Sequence, residues 1–495
     1  MTQAPAAVLP HRLDWDGVHL RLALAPSAAV EVRLDGQRYA TLQADADGHA
    51  QLALPLAPNG RERINVQLAA GGAESATVSL RFGRPGLGRA VDVAPLAPLP
   101  SQEFVDLAAH ADAMTREVAI VVPVYNAPDA VAACLDSVLA QTRGAARLIV
   151  IDDASTDPAI APLLAHYRAR RGVTLLANEC NRGFTATANR GIEAAGRADV
   201  VLLNADTEVA AHWLTGLRRA AWASADTASA TAVSDNAGAF SVPELERHCP
   251  FPQQWTFAQA ALALRQQAGS AYPRLPTGNG FCLYLKRAAL DAVGLLDAEA
   301  FAQGYGEEND WCQRAEAAGW RHVIAGDVLV RHARSQSFGD ERRRVLGEAG
   351  MAVLRSRWPR YEADVGASLF SPRRRVLDWR VRRAYAGPAP QPRWLCWGDA
   401  AAPDGIEAVR VHRGEHGFVV ETRDGVSRTY EPLAEASAAT GGNEADWNAS
   451  FARLLQSEAI DRVTGTLPPA LARVAALLAV DTDDVPALRP FEGAA

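Results

Sequence analysis

An α/β fold with a largely parallel sheet is predicted for the middle of this chain, on three observations. Between Val118 and His332, acidic and turn residues recur at the ends of five segments, VAIVVPVYN, LIVIDDASTD, VVLLNADTEV, GYGEENDW and VLVRH. Apolar strand runs alternate there with helical periods, as parallel strands joined by right-handed crossovers require. Carboxylates gathered at the carboxyl ends of such strands lie where α/β sheets bind ligands.

The chain has 495 residues, more than one hydrophobic core serves, so roughly two to four domains are expected. Residues 1–82 alternate apolar and polar in short runs (VHLRLALA, AVEVRLDGQ, RINVQLAA) broken by Gly, Pro, Asn and Asp. That pattern predicts a small antiparallel β-sandwich. Residues 83–115 open with GRPGLGRAVDVAPLAPLPSQ, a composition that cannot hold regular structure for long, and read as a linker.

Residues 116–361 form the α/β domain. VAIVVPV reads as a buried strand, and Val131, Cys134, Leu135, Val138 and Leu139 follow at helical spacing. RLIVIDD, VTLLAN and VVLLNAD are further strands, with helices near 158–171 and 185–195 and another over 307–318. Residues 362–393 carry the basic run SPRRRVLDWRVRRAY and the Pro-rich break GPAPQPR. In residues 394–495, candidate strands (WLCWGD, GFVVET) mix with helical runs (WNASFARLLQSEA, ALARVAALLAV), predicting a small α/β segment.

A net charge of -7 speaks against nucleic acid as a partner, because sequence-independent binding needs a basic surface. The six cysteines are far apart, with no C-x-x-C pair. They suit reduced core thiols better than a disulfide framework or a zinc site. The opening residues lack a basic start followed by an apolar core, and no segment reaches the 18 or so apolar residues of a membrane span. The expected location is cytoplasmic, either free or peripheral on the inner face of the membrane.

The elements VPVYN, IDDASTD, NRGFTATANRGI, LLNADTEV, TGNGFCLYLKR, GYGEENDWCQRA and VRHARSQSFG, in this order, resemble the GT-A nucleotide-sugar transferases, and specifically family 2 of the inverting glycosyltransferases. The likeness covers residues 117–340, a little under half of the chain. Among relatives it points toward rhamnosyltransferase-like enzymes of cell-surface polysaccharide assembly.

The resemblance implies a role for each matched residue. The donor is a UDP- or dTDP-sugar whose base and ribose lie against Pro123, Tyr125 and Asn126. The Asp153 carboxylate accepts the pyrimidine N3 proton, a contact that would repel the N3 lone pair of cytosine. The plainer reading of Asp153 is a solvated strand end, with Asp152 holding the loop and Asp157 capping a helix. Arg182 and Asn189, in the run that opens the next helix, match residues near the nucleotide or its phosphates; otherwise they are turn and helix-surface residues.

Asn204 and Asp206 match the family's D-x-D motif with its first Asp replaced. Asp206 is therefore the expected metal ligand, and Asn204 is expected to hydrogen-bond ribose or diphosphate. His332 matches a histidine that completes the metal site, which implies Mg²⁺ or Mn²⁺. In the acidic turn Glu308 is expected to be the catalytic base, with Glu307 beside it and Asp310 the runner-up. Trp311 reads as core rather than as an acceptor platform. The reaction implied is one in-line displacement with inversion, onto a hydroxyl of a glycan or lipid-linked oligosaccharide.

The arginines at 342–344, 373–375, 380, 382 and 383 read chiefly as a solvated helix face, with peripheral contact to anionic lipid as the other reading. SQSFG after His332 resembles a segment that closes over the donor. Two other classes stand beside the enzyme reading. A nucleotidyltransferase needs a Gly-rich loop that VPVYNAP lacks, and a non-catalytic glycan-binding or scaffolding protein would carry the α/β domain as a relic.

Overall fold

The computed structural model describes residues 12–15, 19–24, 26–34, 36–53, 63–70, 73–75, 77–81, 113, 116–143, 146–245, 248–268, 272–333, 340–369, 371–404, 406–414, 417–421, 427–430, 444–458, 460–478 and 480–483. Of the expected 83–115 linker only residue 113 is among them, and the SQSFG segment falls outside them. The chain divides into two compact units, residues 1–102 with 369–387, and residues 103–368 with 388–495.

In the first unit, alternating side chains build two antiparallel sheets. One runs β1 (Arg12–Trp15), β2 (His19–Ala23), β5 (His49–Ala53); the other runs β4 (Gln37–Gln43), β3 (Ala29–Leu34), β6 (Arg63–Ala70), β7 (Ala73–Glu74), with β8 (Val78–Arg81) also on β6. Leu20 and Leu22 from one sheet and Val30, Val32, Val66 and Leu68 from the other share one core, making the expected sandwich.

The second unit is centred on an eight-stranded sheet in the order β11-β10-β9-β12-β15-β14-β16-β13. Its strands are β9 (Val118–Val124), β10 (Ala146–Asp152), β11 (Val173–Ala177), β12 (Asp199–Leu203), β13 (Thr207–Val209), β14 (Thr227–Val233), β15 (Cys282–Leu285) and β16 (Arg321–His332). Strands β11, β10, β9 and β12 are parallel neighbours. Strand β15 runs antiparallel between β12 and β14, and β16 is parallel to β14. This is the mixed, open sheet of a GT-A domain, so the fold class read from the sequence holds.

Six of the seven residues of β9 and all five of β12 are buried, as central parallel strands covered on both faces must be. Each fully buried Val, Leu or Ile there contributes about 1.5–3 kcal/mol. Helices α1 (Pro128–Gln141), α2 (Ile160–Arg168) and α3 (Phe184–Ala194) follow the first three strands. Gly191 lets α3 approach β9, because a Cβ there would stand 2.2 Å from Val121 Cγ1.

Beyond β13 come α4 (Trp213–Trp222), α5 (Phe257–Gln267), α6 (Arg287–Val293), α7 (Glu307–Ala317), α8 (Asp340–Arg357) and α9 (Tyr361–Leu369). Lys286, just after β15, is buried; its Nζ donates to the Ser224 carbonyl at 2.9 Å and lies 4.3 Å from the centre of the Trp222 ring. None of the six cysteines forms a disulfide, and five are buried.

The same unit ends in a six-stranded sheet ordered β20-β19-β18-β17-β21-β22, in which β17 (Arg393–Trp397) lies parallel to β18 (Glu407–Arg413) and β21 (Arg462–Thr464). Its other strands are β19 (Phe418–Glu421), β20 (Ser427–Tyr430) and β22 (Asp481–Thr482). Phe451, Leu454, Leu471 and Val474 pack a shared core, which makes the expected small α/β segment. Asp461 ties this sheet to α5, pairing with Arg265 while its Oδ2 accepts from the Arg393 backbone N–H at 2.7 Å.

In the first unit, α10 (Pro372–Ala386) carries much of the basic run. Arg374, expected on a solvated face, is buried, and its guanidinium pairs with Asp378 at 2.9 Å. One helical turn separates the two, which lets the ion pair form inside the helix's own packing surface. The side chains of Arg342–Arg344, Arg373, Arg375 and Arg383 lie outside the described set.

Candidate active site

The first wall of the site is the loop pair that follows β9 and β10. Asn126 takes a left-handed backbone (φ 57°), and its Oδ1 accepts the N–H groups of Thr156 and Asp157 at 2.8 and 2.9 Å. Its own N–H donates to Ser155 Oγ at 2.9 Å. Asp152 Oδ1 accepts from the Ser155 N–H at 3.0 Å, and Asp157 Oδ1 caps Ala159 N–H at 2.9 Å.

Asp153 is buried and holds the next loop. Its Oδ1 accepts from Asn178 Nδ2 and the Arg182 N–H, at 2.7 and 2.8 Å, and its Oδ2 accepts from the Gly183 N–H at 3.0 Å. Gly183 must be glycine: its φ is 82°, and a Cβ would fall 2.1 Å from the Ala302 carbonyl oxygen.

The second wall depends on β13. Thr207 pairs with His332 across β13 and β16, and the Ala333 N–H donates to the Asp206 carbonyl at 3.0 Å. This ladder brings the Asp206 side chain to the end of a strand more than a hundred residues later. Asp206 Oδ1 and His332 Nε2 stand 3.4 Å apart. The other imidazole nitrogen, Nδ1, is 3.1 Å from the Asn236 carbonyl oxygen, and the Phe281 ring stacks on the imidazole with centroids 5.3 Å apart. Beside them Asn204 Oδ1 is buried and has no hydrogen-bond partner among the described residues.

The third wall is the turn 304–306 and the start of α7. Glycines at 304 and 306 and a left-handed Tyr305 (φ 69°) form the turn. Glu307 is buried, and its Oε2 accepts from the Gly306 N–H at 3.1 Å. Burial first, and then the charge of Glu308, push the Glu307 carboxyl well above the usual carboxylate range.

Burial also raises Glu308; its own amide, a hydrogen bond from Glu307 and the amides of Gly280 and Gly306 pull it back. Both carboxyls are thus raised by burial and interact directly, so they titrate as a coupled pair. Glu308 Oε2 has no hydrogen-bond partner among the described residues.

One cavity of about 310 Å³ joins the three walls. Pro123, Tyr125, Asn126 and Asp153 line one part of it, and Asn204, Asp206, His332, Glu307 and Glu308 line the rest. Three sequence-selected residues are not among its lining. Asn189 spends both ends of its amide on the Leu296 backbone, at 2.8 and 3.0 Å. Arg182 is exposed and contributes its backbone N–H to Asp153. Asp310 is fully buried as a clamp, accepting from Arg314 Nε at 2.9 Å, Trp358 Nε1 at 3.0 Å and Arg357 Nη1 at 3.2 Å. It lies one turn beyond Glu307 on the same face of α7, where these three donors rather than the cavity take its carboxylate.

Trp311 is core, with Nε1 donating to the Gly294 carbonyl at 2.8 Å. Sequence reading missed Asn181, Thr187, Asn279, Phe281 and Gln303, which also line the cavity. Of these, Asn279 and Phe281 sit inside TGNGFCLYLKR, and Asn181 and Thr187 inside NRGFTATANRGI, two elements that carry the resemblance.

A family model, Glycosyl transferase family 2, matches residues 119–294. "Uncharacterized glycosyltransferase YibD" of Escherichia coli (strain K12) is 34% identical over 95 residues, which is 19% of this chain and 27% of that protein. This chain therefore spans well under half the length of the curated relative it matches. Two solved structures overlap in part: GalNAc-T7 with UDP, GalNAc and Mn²⁺ (TM-score 0.38, 15% identity, 50% of this chain and 49% of that one), and the mannosyltransferase PcManGT from Pyrobaculum calidifontis with GDP-Man and Mn²⁺ (TM-score 0.38, 17% identity, 56% and 76%). The matched segment opens on β9 and takes in the strand ends that carry Asn126, Asp153, Asn204 and Asp206. Over residues 119–294 the chain is thus similar to the family 2 glycosyltransferases.

Proposed function

We propose that the chain is an inverting glycosyltransferase that moves a sugar from a UDP- or dTDP-sugar to a hydroxyl of a glycan or lipid-linked acceptor. One observation carries the reading: Asp153, Asp206, His332 and Glu308, drawn from four separated segments, line a single cavity. The pyrimidine lies toward Asp153, whose Oδ2 takes one protein donor and keeps lone-pair capacity for an imide N–H.

The residues fit a hard divalent ion. Asp206 Oδ1 and His332 Nε2 face each other, and the unpartnered Asn204 Oδ1 adds a neutral oxygen. Among the described residues no group of three His, Cys, Asp or Glu side chains gathers around an ion. The protein would therefore supply few donors, as is normal for Mg²⁺ held chiefly by substrate phosphates and water. When bound, such an ion supplies positive charge opposite the leaving diphosphate.

The chain's own residues then set up one displacement. Glu308, ionised, takes the proton of the acceptor hydroxyl as that oxygen bonds to the anomeric carbon. The carbon–oxygen bond to the diphosphate breaks on the opposite face, which inverts the centre. Glu307 holds the other carboxyl proton and keeps the pair at one negative charge.

By resemblance, the setting is cell-surface polysaccharide assembly, with rhamnose as a donor sugar. Among the described residues no helix is long and apolar enough to cross a membrane. A panel of UDP-, dTDP- and GDP-sugars, assayed for slow hydrolysis with Mn²⁺ and with chelator, tests the proposal. Metal-dependent release of UDP or dTDP is expected. Glycan binding without hydrolysis of any donor would instead indicate a relic domain.

A further inference from the structure

His332 is more constrained than a metal ligand at a strand end needs to be, and the constraint comes from a loop that no motif singled out. Strand β14 stops at Val233, and residues 234–242 fold back against the end of β16. The Ser234 N–H donates to the Phe240 carbonyl at 3.1 Å, the Val242 N–H to the Ser234 carbonyl at 3.0 Å, and the Ala237 N–H to Ser241 Oγ at 2.9 Å. Two groups of this loop reach His332. Asp235, itself buried, accepts the His332 backbone N–H on Oδ1 at 3.1 Å and the Ser234 hydroxyl at 3.0 Å. The Asn236 main-chain carbonyl meets His332 Nδ1 at 3.1 Å.

A carbonyl oxygen can only accept, so Nδ1 must carry hydrogen. In the neutral ring Nε2 is then a bare lone pair. That lone pair faces Asp206 Oδ1 at 3.4 Å, so two acceptors meet across a space that a cation or a doubly donating water would bridge. The Phe281 ring, parallel to the imidazole within 16°, blocks rotation out of this plane.

We infer that Asp235 and the Asn236 carbonyl are positioning groups that hold His332 in the Nδ1–H tautomer, with Nε2 presented to the space it shares with Asp206. Outer partners of this kind fix a histidine's tautomer and orientation, and their loss commonly costs 10- to 100-fold in metal affinity. The inference rests on the reading of Asp206 and His332 as donors, but its first test does not.

That test is the tautomer, read on the full chain by long-range ¹⁵N–¹H correlation with ¹⁵N-histidine at about pH 9, where imidazole is neutral. His332→Gln identifies the signal. A protonated Nδ1 and bare Nε2 are expected; an Nε2–H ring would overturn the inference, whatever the enzyme does. The second test is Mn²⁺ binding in the presence of UDP, followed by electron paramagnetic resonance. Asp235→Ala should weaken it at least about tenfold and mix the tautomers, while Asp235→Asn, which keeps an acceptor for the His332 N–H, should restore both. Unchanged affinity and tautomer in Asp235→Ala would refute the positioning role. Absence of Mn²⁺ binding in the wild type would refute the metal reading, and the tautomer would still be decided by the nitrogen shifts.

Discussion

His332 Nε2 stands 3.4 Å from Asp206 Oδ1 because Thr207 and His332 are register partners across β13 and β16. The short strand β13 has only three residues, yet it turns an acidic motif and a distant histidine into one pair. Changing either residue should abolish Mn²⁺ binding measured with UDP. Asn204→Asp should tighten it about tenfold, or 1.4 kcal/mol, because a second carboxylate raises the charge offered to the ion. A titration in which Asn204→Asp binds no better would remove Asn204 from the ion's surroundings.

Glu308→Gln keeps the shape of the turn and removes the proton acceptor. Turnover should fall about 10²- to 10⁴-fold while calorimetry finds UDP binding unchanged. Retention of wild-type kcat would pass the role of base to another group.

The raised Glu307 carboxyl makes stability depend on pH in a defined direction. Folded Glu307 holds its proton more tightly than the unfolded chain does. Its contribution is therefore fully present below the unfolded value of about 4.3 and is lost as pH rises through the folded one. Glu307→Gln escapes that loss, so its melting temperature relative to the wild type should rise between about pH 5 and pH 8. A constant difference across this window would mean that Glu307 folds already ionised.

Asp310 should behave as a structural residue. Asp310→Ala removes the carboxylate shared by Arg314, Arg357 and Trp358 Nε1, while Arg314 keeps the Val293 and Leu295 carbonyls and Arg357 keeps Asp297; a loss of about 2–3 kcal/mol is expected in urea denaturation. This is below the 3–5 kcal/mol of a fully buried pair, because both arginines stay partly hydrated. Any activity that the folded fraction retains should show an unchanged KM for donor.

The strands that lead into Asn126, Asp153 and Asn204 were legible because β9, β10 and β12 hold nearly continuous apolar runs that close on polar residues. The side-chain directions of Asn189 and Asp310 were not legible. Both lie in amphipathic runs where one residue of phase decides between cavity and core, and the Leu296 backbone and Arg357 that claim them are distant in sequence. Strand β14 reads TASATAV, too small and polar to stand out as a central strand, so the Asp235 loop behind it went unnoticed. The antiparallel insertion of β15 likewise follows from its partners on either side and from nothing within CLYL itself.

Lys286 is the chain's only lysine, and its amine lies against the Trp222 ring and donates a hydrogen bond to a main-chain oxygen. An acylating reagent therefore meets this side chain only when the packing around the end of β15 comes apart. The rate of tagging at that single position would time the opening of the central sheet, without any engineered label.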